Sequence, residues 1–468
     1  MFGVMDADRP PPECPRCRET EQRVLELEAL LRSLMDQVAK LSAALEEERR
    51  RGKRQAAPFS KGPPVQNPKK PGRKKGKRHG PHAHRAAPPR IDETYEAPLP
   101  ESCPHCESSE VSETRVTEQY QTEIPRTVIH RQFNVHVGEC RKCGREVAGR
   151  HPLQTSTARG AAASQLGANV HAALAIFNKE LGLSHGKSVK LLKTMFPELH
   201  VSRATSVRSM LRTARRCEPA YEQLRKDLKG AAEVAPDETG WRVRGYLAWL
   251  HVFASRRQTC YDIDPTRSHK PAERLLGIDW SGTMVHDGWS VYDRFTEAFH
   301  QQCIAHLQRR CKELLETATR GAVRFPRGVL ALIDKAFAAR RAWRGHRLTA
   351  DDLVVRGLEL SCELEYLASG HFTHEPNRLL ARHILKHGME WFRFLIDPTI
   401  QATNHWAERA IRPAVVNRKV WGGNRTWLGA RAQATLMSAI RTCAQRGQDS
   451  FTFLVNALRS AQPLLIPA

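Results

Sequence analysis

Three short motifs, each built around an acidic residue, constrain this chain most, and they lie between residues 235 and 419. The first is Pro-Asp237-Glu-Thr-Gly-Trp, the second Val-His-Asp287-Gly-Trp and the third Asn404-His-Trp-Ala-Glu408-Arg. The two aspartates each close a short apolar run of β-forming residues, whereas Glu408 lies in a segment typical of a helix. Two acids at strand ends and a third on a helix are a common way for a mixed sheet to hold two divalent cations, because Mg²⁺ prefers oxygen ligands. Two such ions about 4 Å apart activate a nucleophile and stabilise the leaving oxygen of a phosphodiester.

The three motifs resemble the catalytic core of bacterial DDE transposases of the insertion sequence sixty-six family. The resemblance rests on their order and on Arg418-Lys419 just beyond them, and it extends over most of the chain. It implies that Asp237, Asp287 and Glu408 are the first, second and third catalytic acids, with Mg²⁺ or Mn²⁺ as the cofactor. It also implies a helical insertion between the second acid and the third.

Composition sets the class of partner. The chain has 468 residues, enough for about three domains, and a formal net charge of +24. Such a charge predicts a polyanionic partner, with a ribosome, a membrane surface and nucleic acid all open on charge alone. No secretory segment follows Met1 and no apolar run approaches the roughly 20 residues of a membrane span. We therefore expect a cytoplasmic protein that does not enter a membrane.

The N-terminal region is predicted to contain a tail and a coiled coil. Residues 1–20 are interpreted as a disordered tail, in which Cys14 and Cys17 are either two solvent thiols or a metal site shared across a dimer. Residues 21–50 carry heptads, with valine and leucine at one core position and leucine at the other. This pattern favours a parallel homodimer or a higher oligomer. The alternative is an amphipathic helix packed on its own chain. The core positions are Val24, Leu27, Leu31, Leu34, Val38, Leu41 and Leu45.

A basic linker is predicted over residues 51–95. No acidic residue occurs from Arg51 to Arg90, and a segment so rich in charge, proline and glycine cannot bury enough apolar surface to fold alone. It is either a solvated linker or a contact to DNA phosphates that reads no sequence. Its candidate DNA-binding residues are Lys69, Lys70, Arg73, Lys74, Lys75, Lys77 and Arg78.

Two Cys-x-x-Cys pairs predict a zinc ribbon over residues 96–155. Cys103 and Cys106 form the first pair, and Cys140 and Cys143 form the second. Four thiolates around one tetrahedral Zn²⁺ leave no open position, so this metal would be structural. Alternating segments between the pairs, residues 118–124 and 128–137, predict the strands of a small sheet.

Residues 156–229 are predicted to be a helical DNA-binding segment. A helix over 185–196, a short turn and a basic helix capped by Ser202 fit a helix-turn-helix. A plain helical bundle is the alternative.

A ribonuclease-H-like catalytic core is predicted over residues 230–430. A meander begins at Val234, a crossover helix spans 269–276, and the next strand ends at Asp287. Meander, helix and strand is the order of such a sheet. The helical insertion covers about 305–395, and residues 431–468 are predicted to be a C-terminal helical tail. The fold class is therefore α+β and multidomain.

Several side chains are predicted to support the acids. Asn404 and Arg412 lie four residues either side of Glu408 and share its helix face, and Pro413 is expected to end that helix. The alternative is that Glu408 and Arg412 form an ion pair on the protein surface and have no role at a site. Glu238 is a rival ligand, but a neighbour on a strand points away.

Cys303 and His306 resemble a Cys-x-x-His element of several DDE transposase families. A second zinc would need two more ligands that the sequence does not offer, so we expect packing and hydrogen bonding to the active site.

The segment from Val416 to Trp427 is basic, glycine-rich and aromatic. Arg418, Lys419 and Arg425, like Arg412, are candidate DNA contacts, and the glycines would let the backbone approach a phosphate. Trp421 and Trp427 either stack on an unpaired base or belong to the core.

The sequence thus predicts a transposase that nicks the ends of an insertion sequence and joins the 3′-hydroxyls to target DNA. Its partners would be double-stranded DNA, further copies of itself and accessory transposition proteins. The alternatives are a DNA-binding regulator with structural acids and a ribonuclease-H-type nuclease without strand transfer.

Overall fold

A computed structural model of the chain describes residues 15–52, 87–122, 124–159 and 165–467. The chain divides into two compact units, residues 1–84 and 85–468. Helix α1 (Pro15–Gly52) is the described part of the first unit, and all other elements belong to the second. Across the described ranges, no helix combines the length and the apolar character that crossing a bilayer requires.

Helix α1 is 38 residues long and begins at Pro15, where proline suits a first helical position. Residues 15–20, Cys17 among them, are therefore helical rather than part of a disordered tail. The heptad side chains from Val24 to Leu41 are about half exposed or more, so α1 buries this stripe against nothing in the described part of its own unit. Self-association remains a prediction. Cys14 and the basic residues 69–78 lie outside the described residues.

The second unit is a mixture of helices and strands, which confirms the predicted α+β class. Its described α-helices are α2 (Ala168–Lys179), α3 (His185–Met195), α4 (Arg203–Lys229), α5 (Lys270–Leu276), α6 (Ile304–Thr317), α7 (Arg324–Arg344), α8 (Ala350–Ala368), α9 (Glu375–His387), α10 (Arg393–Ile396), α11 (His405–Trp421), α12 (Trp427–Gln445) and α13 (Ser450–Arg459). Its described strands are β1 (Val137–Glu139), β2 (Glu146–Ala148), β3 (Glu233–Val243), β4 (Tyr246–Ala254), β5 (Thr259–Asp264), β6 (Thr283–His286) and β7 (Phe299–Gln302).

Strands β1 and β2 form an antiparallel hairpin around the second cysteine pair. The longer strands expected between the two pairs are wrong: described residues 111–136 contain no strand. Most of their side chains are exposed. Little apolar burial is therefore available to offset the entropy of ordering longer strands.

Helices α2, α3 and α4 pack with α12 and α13 into a bundle with its own core. Ser202 caps α4 as predicted, because its side chain accepts a hydrogen bond from the Thr205 amide at 3.1 Å. Helix α4 runs on for 27 residues and packs along α12 and α2. This packing favours the bundle interpretation over a separate helix-turn-helix.

A five-stranded sheet lies at the centre of the unit, in the order β5-β4-β3-β6-β7. Strands β3, β4 and β5 are an antiparallel meander, and β6 and β7 run parallel to β3. Helix α5 connects β5 to β6. The predicted succession of meander, crossover helix and strand is therefore what the chain forms.

Two sets of helices adjoin the sheet. Helix α11 packs on one face of β3 and β4. Helices α6 to α10 follow β7 and bury a separate core, in agreement with the helical segment predicted at about 305–395. Helix α12 runs through residue 430, the predicted boundary between the core and a C-terminal tail, and most of its side chains are buried against α4 and β5.

Candidate active site

The first two acids lie at one level of the sheet, beyond the point where two parallel strands stop pairing. Glu233 pairs with Thr283 and Val234 with Met284, and the ladder between β3 and β6 ends there. Asp237 lies four residues beyond Glu233, and Asp287 lies four residues beyond Thr283. In open sheets with parallel strands, ligands bind in the crevice beyond the carboxyl ends of the strands.

Asp237 does not close its strand, contrary to expectation. Strand β3 continues to Val243 because Trp241 and Val243 bury their side chains on the sheet. Asp287 does follow directly after β6, as predicted.

Glu408 faces the same side of the sheet as Asp237. Side chains alternate along a strand, so Asp237, Thr239 and Trp241 share one face of β3. Helix α11 packs on this face: Arg418 Nη1 donates a 2.8 Å hydrogen bond to Thr239 Oγ1. Glu408 lies in the first turn of α11, where the helix dipole favours a carboxylate.

Asp287 and Glu408 are close enough to Asp237 for their charges to affect its protonation. Burial, followed by the charges of Glu238, Asp287 and Glu408, raises the pKa of Asp237 to about 8. Like charges that oppose ionisation in this way would be relieved by a bound cation. Among the residues that the structure describes, however, no three His, Cys, Asp or Glu side chains converge closely enough to hold one metal ion.

Glu238 occupies the opposite face of β3 and is engaged in an ion pair. Arg267 donates to Glu238 Oε1 from Nε at 3.0 Å and from Nη2 at 2.7 Å. The Arg267 guanidinium also lies 4.9 Å from the ring centre of Trp249 and 4.5 Å from that of Trp289. Arg267 carried no sequence signal, because its partners come from three separate segments.

Asp262 and Asp264, near the end of β5, are both paired with one arginine. Arg274 Nη2 donates to Asp262 Oδ2 at 2.8 Å and to Asp264 Oδ2 at 2.7 Å. Both acids therefore hold α5 on the sheet.

Cys303 connects the second acid with the third. Its amide donates to the carbonyl of His286 at 2.7 Å, and the Ile304 amide donates to the carbonyl of Ala402 at 3.0 Å. Burial raises the pKa of the Cys303 thiol, the amide of Asn404 opposes that rise, and the charge of Glu408 adds to it.

Two further predicted supports lie on either side of Cys303. His306 is on α6 and Asn404 directly precedes α11. Within the described part of the chain, His306 Nδ1 and Asn404 Oδ1 are buried without a hydrogen-bond partner. The backbone amides of both residues lie near the Cys303 thiol and oppose the rise in its pKa that burial causes.

A network of histidine and glutamine side chains surrounds the turn that carries Asp287. His286 and His300 are joined by a 3.0 Å ring hydrogen bond, and Gln302 Nε2 donates to Glu390 Oε2 at 2.6 Å. A Cβ added at Gly288, whose φ is +86°, would lie 2.9 Å from both Gln302 Oε1 and His383 Cε1. Sequence reasoning missed this network because its members are far apart along the chain.

Pro413 lies inside α11, so the prediction that it ends the helix at Arg412 is wrong. Proline removes one amide donor and disturbs the preceding turn. Tyr261 Oη donates to the carbonyl of Ala410 at 2.5 Å, and Ala410 and Ala414 are buried against the sheet. These contacts stabilise the helix through the proline.

The second glycine after α11, Gly423, lies against β3, and the expected approach of this segment to a phosphate stays a prediction. A Cβ at Gly423, whose φ is +131°, would lie 2.3 Å from the carbonyl oxygen of Arg242. Trp241 Nε1 donates to Asn424 Oδ1 at 2.8 Å. Gly423 and Asn424 therefore bring the segment after α11 against β3.

The remaining candidates in this segment lie in different surroundings. Trp421 is half-buried, with its ring edge to face at 5.8 Å from Trp241, which favours the core interpretation. Trp427 is 43% exposed. Lys419 and Arg425 are exposed.

The two cysteine pairs form matching turns. The amide of Cys103 donates to the carbonyl of Ser108, and that of Cys140 to Arg145, each at 2.8 Å. Nearby backbone amides lower the pKa of both Cys103 and Cys140. Each turn thus presents thiols suited to a metal, but the structure does not bring the four together.

Comparison with known proteins agrees with the acid motifs. No curated protein matches this chain. The sequence profile described as the Transposase IS66 family matches residues 163–432. That match covers more than half of the chain, includes Asp237, Asp287 and Glu408, and extends from just before α2 into α12. The chain therefore belongs to the IS66 transposase family.

Proposed function

We propose that this chain is a DDE transposase that nicks the ends of an insertion sequence and joins the freed 3′-hydroxyls to target DNA. The observation that carries the proposal is the grouping of three carboxylates from β3, the end of β6 and the first turn of α11. The effect of Asp287 and Glu408 on the protonation of Asp237 supports their action as one site. The strand order β5-β4-β3-β6-β7 supports a ribonuclease-H-like core.

The side chains of Asp237, Asp287 and Glu408 do not converge on one point, so a bound Mg²⁺ or Mn²⁺ would have to draw them together; carboxylate oxygens are the donors that these hard cations prefer. Such ions polarise a phosphodiester and favour an oxygen nucleophile at neutral pH. The chain's own residues hold the acids in place. Arg418 ties α11 to β3, and Cys303 ties α6 to the end of β6 and so to the turn of Asp287.

The other regions would supply binding rather than chemistry. We propose that the cysteine turns hold one structural Zn²⁺ and that α1 pairs protomers into a dimer or higher oligomer. Residues 69–78 and the basic residues Arg412, Lys419 and Arg425 would contact DNA phosphates, and the helical bundle would hold terminal repeats. Accessory transposition proteins would act with this assembly.

The experiment incubates purified protein with labelled element ends, Mg²⁺ and a target plasmid. Asp237→Asn, Asp287→Asn and Glu408→Gln should each abolish nicking and joining while DNA binding persists, since each removes one ligand charge at nearly constant size. Asp293→Asn is the matched control, because Asp293 lies on the surface and pairs with Lys386; it should retain activity.

Full joining by Glu408→Gln would contradict the proposal. Cleavage without joined products, lost in the same variants, would identify the nuclease alternative instead.

A further inference from the structure

The helical insertion contains a cavity that neither the acids nor their supporting residues use. Its volume is about 740 Å³, within the range typical of small-ligand sites. It lies where α6 and α8 end and where α7 and α9 begin. Its lining includes Arg320, Arg324 and His371, and none of the described residues around it is acidic. The cavity is therefore suited to an anionic ligand.

Aromatic rings also line the cavity. Phe325 and Phe372 are packed with ring centres 4.4 Å apart and line its wall. Tyr366 at its rim is 86% exposed, which is unusual for so large a ring. Proteins bind unpaired nucleotides with cationic side chains along the nucleic-acid backbone and with exposed aromatic rings on which the bases stack.

The lengths of two helices give the distance from this cavity to the carboxylates. Helix α6 begins beside Asp287 and ends at the cavity, and α9 runs back from the cavity to His387 beside the same turn. With 14 and 13 residues, respectively, each spans about 20 Å at 1.5 Å per residue. One DNA strand rises about 3.4 Å per nucleotide, so this span equals about six nucleotides.

The two helices also touch each other between the cavity and the turn of Asp287. Helices α6 and α9 are in contact. Burial, followed by the charge of Arg310 on α6, lowers the pKa of His383 on α9 to about 4. His383 itself abuts Gly288, next to Asp287.

We propose that this cavity binds an unpaired nucleotide of the DNA substrate, about six nucleotides from the phosphate at the carboxylates. The base would stack on Tyr366 and Phe372, and Arg320 and Arg324 would face its phosphates. The inference rests on the proposed function for the location of the reacting phosphate. It adds that the enzyme holds a locally opened DNA end.

The test compares two DNA probes with full-length protein in the absence of divalent cations. One is a blunt 20-base-pair duplex, and the other is the same duplex with a six-nucleotide single-stranded extension, tested with either polarity. Fluorescence anisotropy measures both dissociation constants. Wild-type protein should bind an extended probe more tightly, and Tyr366→Ala should lose about fivefold or more of that preference. Binding to the blunt duplex should not change.

Matched variants separate stacking from folding. Tyr366→Phe keeps the ring and should keep the preference. Leu358→Ala, about two turns earlier on the exposed side of α8, should also keep it. Arg324→Gln should weaken the preference in part.

Two results would overturn the inference: no preference by the wild type for either extension, or full preference by Tyr366→Ala and Arg324→Gln. Because the assay contains no cleavage, its failure would leave the roles of Asp237, Asp287 and Glu408 standing. Conversely, active acid variants would contradict the proposed function without affecting this binding measurement.

Discussion

The sheet that carries the acids and the region that carries the cysteine pairs differ in how much of their structure is buried. In β3, β4 and β5 most side chains are buried, and hydrogen bonds from α11 and α12 fix the strands from outside. In the cysteine region, β1 and β2 are three residues each, and all six residues are exposed to solvent. A site in the sheet is therefore positioned by packing, whereas the four thiols need another force to bring them together.

Metal removal gives the largest expected difference between the two regions. Zinc binding in small domains contributes about 10 to 16 kcal/mol to their folding. Cys103→Ser should therefore lose the bound zinc and the protection of residues 96–155 from hydrogen exchange. The sheet should keep its protection, because its order comes from buried apolar contacts. Zinc content and exchange measured on the same sample would check both halves.

Undiminished zinc in Cys103→Ser would mean that other cysteines bind it. Loss of protection in β3 as well would mean that the two regions are not independent.

A methyl group at Gly423 should destabilise the sheet and leave the cysteine region unaffected. The Cβ of Gly423→Ala would collide with the Arg242 carbonyl at a φ that alanine rarely adopts. We expect a loss of about 3 kcal/mol in the free energy of unfolding of the sheet. Gly138→Ala in β1 is the control, since a Cβ there meets nothing within 4 Å. Urea unfolding followed by tryptophan fluorescence measures both, and equal stability of the two variants would contradict the role assigned to the glycine.

A smaller effect concerns pH and Glu233, at the start of β3. Burial, with a lesser contribution from the charge of Asp397, raises the pKa of Glu233 to about 7, while the Gln401 amide and Arg340 oppose the rise. The folded state then holds a proton that the unfolded state releases near pH 4.5, so stability falls as the pH rises through about 7.

Between pH 5 and pH 7 this loss should be about 2 kcal/mol. Glu233→Gln, which retains an acceptor for the Gln401 amide, should unfold with a flatter pH dependence. Thermal unfolding at both pH values measures the difference. The same slope in wild type and variant would show that Glu233 is ionised in the folded state.

Local patterns in the sequence predicted the order of elements but not their contacts. The meander, α5, β6 and the Ser202 cap follow from alternation and capping residues, which act over a few positions. Pro413 within α11 did not, because its tolerance depends on Tyr261 and on burial against the sheet. The buried α12 and the pairing of Arg267 with Glu238 likewise depend on segments far apart in sequence.

The candidate site likewise contains residues that the sequence predicted and residues that it did not. The acids were identified from three motifs, and their common level and face follow from strand register and alternation. No local sequence pattern predicted the network formed by His286, His300, Gln302 and Glu390. Only the fold brings these residues to the turn of Asp287.

The central claim, that Asp237, Asp287 and Glu408 together form a divalent-cation site, is tested most directly by Mn²⁺ binding. Electron paramagnetic resonance titration of zinc-saturated protein without DNA should show bound Mn²⁺ in wild type and in Asp293→Asn. Asp237→Asn, Asp287→Asn and Glu408→Gln should each weaken that binding about tenfold or more, because each removes one charged ligand. Wild-type Mn²⁺ affinity in all three acid variants would contradict the account.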